Sequence, residues 1–162
     1  MVFKTSLDKT AIIITSLVTL LFAVIIIGQF SIIKDEGKAI PIYTTVACLL
    51  IYFIAFAFRP IKYIVTNDEL IVKRLLLSVH IKRGDINSVA LIDEHSIKGS
   101  IRTFGVGGMF GYFGNFANFT IGKMTWYATR RDSVVLVKTT NNKNIILTPD
   151  MPNEFLARLS NF

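Results

Sequence analysis

Asp93, Glu94 and His95 stand side by side in "DEHS", two carboxylates and an imidazole of the kind that hold a cation. Neighbouring residues of an extended segment point to opposite faces, so these three do not converge, and no second cluster supplies further ligands. The expectation is a surface turn and no metal. His80, the other histidine, falls on a stretch with strand character. Cys48 is the only cysteine, which leaves no intrachain disulfide and no Cys-based metal site. It lies within an apolar run, where it reads as a small residue at a helix contact. No G-x-S-x-G, H-E-x-x-H or Cys–His arrangement occurs. The chain is expected not to be an enzyme and to carry no cofactor.

"RTFGVGGMFGYFGNFANFTIGK" (102–123) is the segment that most resembles a ligand loop. It holds six glycines and six aromatics, Phe104, Phe110, Tyr112, Phe113, Phe116 and Phe119, with no charge between its ends. A P-loop needs G-x-x-x-x-G-K-[ST], but Gly122–Lys123 is followed by Met124, and Ala117 stands where the first glycine belongs. A dinucleotide fingerprint needs G-x-G-x-x-G, and Phe110 takes its last position. Neither has the strand-then-helix context that aims backbone N–H groups at phosphate. Nucleotide is therefore not expected. Three readings stay open: rings packed on the sheet or on a partner subunit, rings at a membrane interface between Arg102 and Lys123, or contact with another ligand. A loop of about 30 residues within so small a domain points to function or to partner contact.

The elements that must position these residues divide the chain in two. Between Lys9 and Lys34 lie 24 residues without a charge, and between Lys38 and Arg59 another 20. A bilayer's hydrocarbon core needs about 20 apolar residues, and neither run has the polar stripe of a soluble core helix. Residues 1–58 therefore predict a transmembrane helical hairpin with spans at about 10–33 and 39–58. The first run exceeds the roughly 7–15 residues of a secretory signal core and has no A-x-A-like cleavage site. Lys4, Lys9, Arg59, Lys62, Lys73 and Arg74 flank the spans on one side, against Lys34 and Lys38 in the turn. That bias predicts an inner-membrane protein with both termini and the following domain in the cytoplasm.

Residues 59–162 carry 14 Lys and Arg against 8 Asp and Glu. Short β-branched and aromatic runs recur: "IKYIVT" (61–66), "LIVKR" (70–74), "SVHIKR" (78–83), "SVALID" (88–93), "MTWYAT" (124–129), "SVVLVKT" (133–139) and "NIILT" (144–148). "RRD" and "TNNK" between the last three read as hairpin turns. In "PDMPNEFLARLSNF", Asp150 can cap a helix, Pro152 suits its first turn, and Phe155, Leu156 and Leu159 form an apolar stripe that can plug a sheet. About seven antiparallel strands followed by one helix define an all-β sandwich or partly open barrel with a helical lid.

Basic residues cluster as Lys73–Arg74, Lys82–Arg83 and Arg130–Arg131. Only Arg59 and Pro60 join the second span to the first strand, a reach of about 7 Å, so basic side chains facing the bilayer lie within a Debye length of anionic lipid. Each is worth about 1 kcal/mol there. Arg59, Lys62, Lys73, Arg74, Lys82, Arg83, Arg130 and Arg131 are the candidate lipid contacts, a solvated face being the alternative. The charges lack an interleaved aromatic platform, which argues against nucleic acid.

"YIVTNDELIVKRLLLSVHIKRGDINSV" (63–89) resembles the opening strands of bacterial pleckstrin-homology (PH-like) domains. "FGVGGMFGYFGNF" (104–116), Gly122, "YAT" (127–129), "VVLV" (134–137) and "TPDMPNEF" (148–155) are similar to one branch of those families. The resemblance implies a PH-like barrel with a C-terminal α-helix, often carried directly after one or two transmembrane helices. Its motifs are structural rather than catalytic; the function expected is a non-enzymatic module at the membrane surface that binds lipid headgroups or protein partners, with self-assembly or a subunit role in a membrane complex as the alternative and a membrane enzyme as the last. Two positions depart from the phosphoinositide-binding pattern. The first hairpin turn, Thr66, Asn67, Asp68 and Glu69, is acidic where Lys and Arg are expected, and Phe155 replaces the tryptophan of the closing helix. A specific phosphoinositide pocket is not expected.

Overall fold

The computed structural model describes residues 1–36 and 40–160; Gly37 and Lys38 of the expected turn and the start of the second span at residue 39 lie outside the described residues. Both apolar runs are helical, as α1 (Lys9–Glu36, 28 residues) and α2 (Ile40–Phe58, 19 residues). At about 1.5 Å per residue, α2 is roughly 28 Å long, which matches a hydrocarbon core. Their most apolar windows are only 6% and 17% buried, whereas the core helix of a soluble domain would be covered. Both are long and apolar enough to cross a bilayer. Several of their polar groups turn toward each other. Gln29 Oε1 accepts from the hydroxyls of Thr44 and Thr45 at 2.8 and 2.9 Å, and the hydroxyls of Thr19 and Tyr52 lie 3.1 Å apart.

Ten strands form two sheets among the described residues. The first holds β1 (Val2–Lys4), β2 (Lys62–Val65), β3 (Glu69–Lys73) and β4 (Val79–Lys82), antiparallel and in that order. The second contains β5 (Ile86–Ile92), β6 (Ile101–Gly108), β7 (Gly111–Asn118), β8 (Gly122–Ala128), β9 (Val134–Thr139) and β10 (Asn144–Leu147), ordered β5-β9-β10-β8-β7-β6. A terminal helix, α3 (Pro152–Ser160), closes one end. The expected architecture of two apolar helices, a PH-like β-sandwich and a C-terminal helix is what forms, with open sheets.

Period-two alternation makes the sandwich. Phe3, Tyr63, Val65, Leu70, Val72 and Ile81 point inward from the first sheet and meet Val135, Val137, Ile145 and Leu147, with Phe155 and Leu159 of α3 closing the gap. Tyr63 is fully buried, and its hydroxyl donates to Tyr127 O and accepts from Thr148 N at 3.1 Å. The second sheet is buried on its other face as well. There Tyr112, Phe116, Met124, Trp126, Val134, Leu136 and Ile146 pack under Ala11 of α1 and Ile97. Burial on both faces is why "VVLV" is continuously apolar.

Three local expectations are corrected. The glycine–aromatic segment is not a loop but the β6–β7 hairpin turning at Met109 and Phe110, with Gly105 opposite Gly114. "RRD" does not close a hairpin: β10 lies between β8 and β9 and pairs with β8 in parallel, so the chain crosses over there. Asp150 does not cap α3. Its carboxylate accepts from Ser6 N at 2.8 Å, Ser6 Oγ at 2.7 Å and Arg130 Nη1 at 3.3 Å, tying the N-terminal segment to the second sheet.

Candidate functional site

Because β1 leads into α1 and β2 follows α2, the ends of both helices and the adjacent strand ends share one end of the sandwich. The N-terminal residues and the domain after α2 therefore lie on the same side of the helical pair. Across this end the register places Lys4 opposite Lys62 and Lys62 opposite Lys73. Cross-strand partners share a face, and like charges so placed repel. None of the three makes an ion pair or side-chain hydrogen bond among the described residues. The opposite end of the same sheet is neutralised. Lys82 stands across from Glu69, whose carboxylate is 2.9 Å from His80 Nδ1, and Arg83 Nη2 donates to Leu159 O at 2.7 Å. The acidic turn 66–69 is also at that far end, with Asp68 O accepting from Arg83 N.

The other candidate cations lie near the helices in different states. Arg59 Cζ is 4.3 Å from the Phe56 ring and 5.6 Å from that of Phe110. Arg74 lies 5.3 Å from Phe58, and partial burial lowers the pKa of its guanidinium from the usual value. Arg130 is bound by Asp132 through contacts of 2.5 and 2.8 Å, which hold the Asp132 carboxyl below the usual carboxylate range. Arg131 remains exposed, 4.6 Å above the Tyr112 ring. Sequence reasoning named these residues but passed over Lys4 as a partner of Lys62 and Lys73, since only the short β1 pairing brings it there.

The six aromatics divide. Phe110 and Phe113 form a cluster with Ala55 of α2, supported by Tyr52, Phe56 and Phe58. Phe110 meets Tyr52 and Phe56 edge to face at 5.1 and 5.4 Å, and its N–H donates to Thr15 Oγ1 of α1 at 2.8 Å. Tyr112 and Phe116 lie in the core, Phe116 stacked on Trp126 at 4.4 Å. Only Phe104 (77%) and Phe119 (109%) remain exposed. Tyr52 and Thr15 each lie six residues inside their helices, about 9 Å from the ends. The hairpin tip thus reaches along the helical pair rather than standing free.

Asp93 caps a tight turn by accepting from His95 N at 2.8 Å, and among the described residues no group of three or more His, Cys, Asp or Glu comes together. Tyr112 donates to Asp8 Oδ1 at 3.2 Å; burial, then the Asp8 charge, push its phenol up to about 12, against the pull of Arg131. A phenol whose folded pKa exceeds its unfolded value of about 10 stabilises fully below pH 10 and loses that contribution as pH rises toward 12. Burial raises the phenols of Tyr63 and Tyr127 as well, so Tyr112→Phe should lessen rather than abolish the loss of stability between about pH 10 and 12, read from thermal midpoints. An unchanged slope would remove Tyr112 as a source.

These features define a β-sandwich with a helical plug, fastened by one end to two bilayer-length helices. The family described as bacterial PH domain matches residues 61–161, and the chain belongs to that family. No curated protein and no solved structure matches it. PH-like domains are generally non-catalytic and commonly bind lipids or proteins, and this one on its two helices fits a membrane-anchored PH module.

Proposed function

We propose that the protein is a non-enzymatic module of the bacterial inner membrane whose PH-like domain is held against the cytoplasmic leaflet and contacts anionic headgroups through its helix-proximal end. The observation that carries this reading is the unneutralised row of Lys4, Lys62 and Lys73 beside the helix ends. Arg59 and Arg74 adjoin it along the chain, Arg131 lies over Tyr112, which bonds Asp8 just before α1, and six basic residues on this side of the spans against two in the turn favour the cytoplasm. Tethering already supplies location, so headgroup contact orients the domain. Lys82, Arg83 and Arg130 contribute less, because each faces an acid or a carbonyl of its own chain.

The test is retention of phosphatidylglycerol by the full chain in nanodiscs of phosphatidylcholine with about one third phosphatidylglycerol. At about 1 kcal/mol per cation, Lys62→Glu and Lys73→Glu should each weaken retention about fivefold or more, and salt near 1 M should do likewise. Lys82→Glu should change little. Equal effects at all three positions, or none, would reject the lysine row. Protease added outside intact cells should leave the domain whole; digestion would reverse the orientation.

A second reading, self-assembly, is favoured by β6, an edge strand with Ile101 and Phe104 exposed at 69% and 77%. It calls for a discrete oligomer in detergent that Phe104→Lys breaks. A monomeric wild type excludes it.

A further inference from the structure

The turn between β3 and β4 reads "RLLLS" (74–78), where a surface turn would ordinarily carry Gly, Asn, Asp or Pro. Leu75, Leu76 and Leu77 are 53%, 44% and 73% exposed. Leu77 has φ 51°, a left-handed conformation that glycine or asparagine would hold at lower cost. Arg74 secures it: Nε donates to Leu77 O at 2.8 Å and Nη2 donates to the same oxygen. The turn is also anchored in depth, because Leu76 N donates to Ala57 O at 3.1 Å, one residue before the end of α2. Lys73, the last cation of the lysine row, immediately precedes it. A strained backbone is thus braced to display three leucines at the level where an apolar helix leaves the domain.

We propose that this turn is a further membrane attachment, with Leu75, Leu76 and Leu77 inserted into the interfacial layer of the leaflet from which α2 emerges. The inference rests on the reading that α2 crosses the bilayer. The occupant is lipid rather than a protein groove because the Ala57 bond puts the leucines beside the bare apolar surface of α2, whose Phe53 and Ile54 are 52% and 53% exposed. Apolar side chains beside Lys73 and Arg74 are the composition of an interfacial segment, rings or aliphatics among acyl ends and cations at the phosphates. Together with α2 and the hairpin tip, the turn stops the domain from pivoting on residues 59–61.

The test uses the full chain with Cys48→Ala and single nitroxide labels at Leu75→Cys, Leu76→Cys or Leu77→Cys, in nanodiscs of phosphatidylcholine and phosphatidylglycerol. Labels at Leu50→Cys in α2 and Asn141→Cys in the far β9–β10 turn give lipid and water references, and Trp126 fluorescence reports folding. At least two of the three turn labels should be oxygen-accessible and shielded from a nickel chelate, as at Leu50, with chelate relaxation severalfold below that at Asn141. Three labels as open to the chelate as Asn141 overturn the proposal, and an aqueous Leu50 label overturns it together with the helix reading. Lipid-buried labels without phosphatidylglycerol retention uphold the turn and sink the headgroup reading; the converse pattern sinks the turn alone.

Discussion

Gly114→Ala is expected to break the β6–β7 hairpin and cost roughly 3 kcal/mol or more. Gly105 and Gly114 face each other at φ 113° and 120°. A Cβ at Gly114 would stand 2.3 Å from Phe104 O and 2.8 Å from Gly105 Cα, and one at Gly105 would stand 2.3 Å from Phe113 O. Both obstacles are backbone, so no rotamer change relieves them, and that backbone conformation is open almost only to glycine. A hairpin crowded at its centre must separate or bend, which also loosens Phe116 from Trp126. Thermal unfolding in detergent, followed by the fluorescence of the single Trp126, should shift down by about 10 °C, taking about 3 °C per kcal/mol for a chain of this size. Gly84→Ala is the control, since nothing lies within 4 Å of its added Cβ. A Gly114→Ala protein that melts with the wild type would mean that the two glycines do not meet.

Phe110→Ala should detach the hairpin from the helices, at a cost of about 3–5 kcal/mol for losing a buried phenylalanine ring. Phe110 is 6% exposed and makes the ring contacts to Tyr52 and Phe56 that join the second sheet to α2. Since every 1.4 kcal/mol is tenfold in an equilibrium, amides 106–113 should exchange hydrogen at least about 100-fold faster when the protein is measured in nanodiscs. Phe104→Ser, by contrast, should leave exchange unchanged, because Phe104 is 77% exposed. Phe110 and Phe113 are covered within one chain, so any effect of replacing them on assembly would pass through this docking. Unaltered protection in Phe110→Ala would place the hairpin tip away from the helices.

Seven strands were readable as β-branched runs between turn formers, and each formed near its expected place. Three were not. β1 has only three residues and exists through its pairing with β2, an interaction across some 60 positions that no local pattern reports. β6 and β7 were hidden by their glycines, which weaken a strand taken alone but here permit the close crossing of Gly105 and Gly114. The candidate cations were visible as types and not as an arrangement. Lys73 and Lys82 look alike in sequence, yet β3 and β4 set one beside a lysine and the other across from a glutamate. "RLLLS" passed as the end of one strand and the start of another, since its display depends on the bond from Leu76 to Ala57.

Taken alone, the amino-acid order determined two bilayer-length helices, a basic β domain with an apolar C-terminal plug, and the PH-like class. The helices and the β domain follow from run length, period and composition, which act over a few neighbouring residues, and the class from the resemblance of residues 63–89 and 104–155 to bacterial PH-like domains. The tertiary structure alone decided which face each cation shares, which aromatics are spent on packing, and which turn stands beside the end of α2. Those outcomes depend on strand register and on contacts between residues far apart in the chain, where a shift of one position exchanges the buried face for the exposed one.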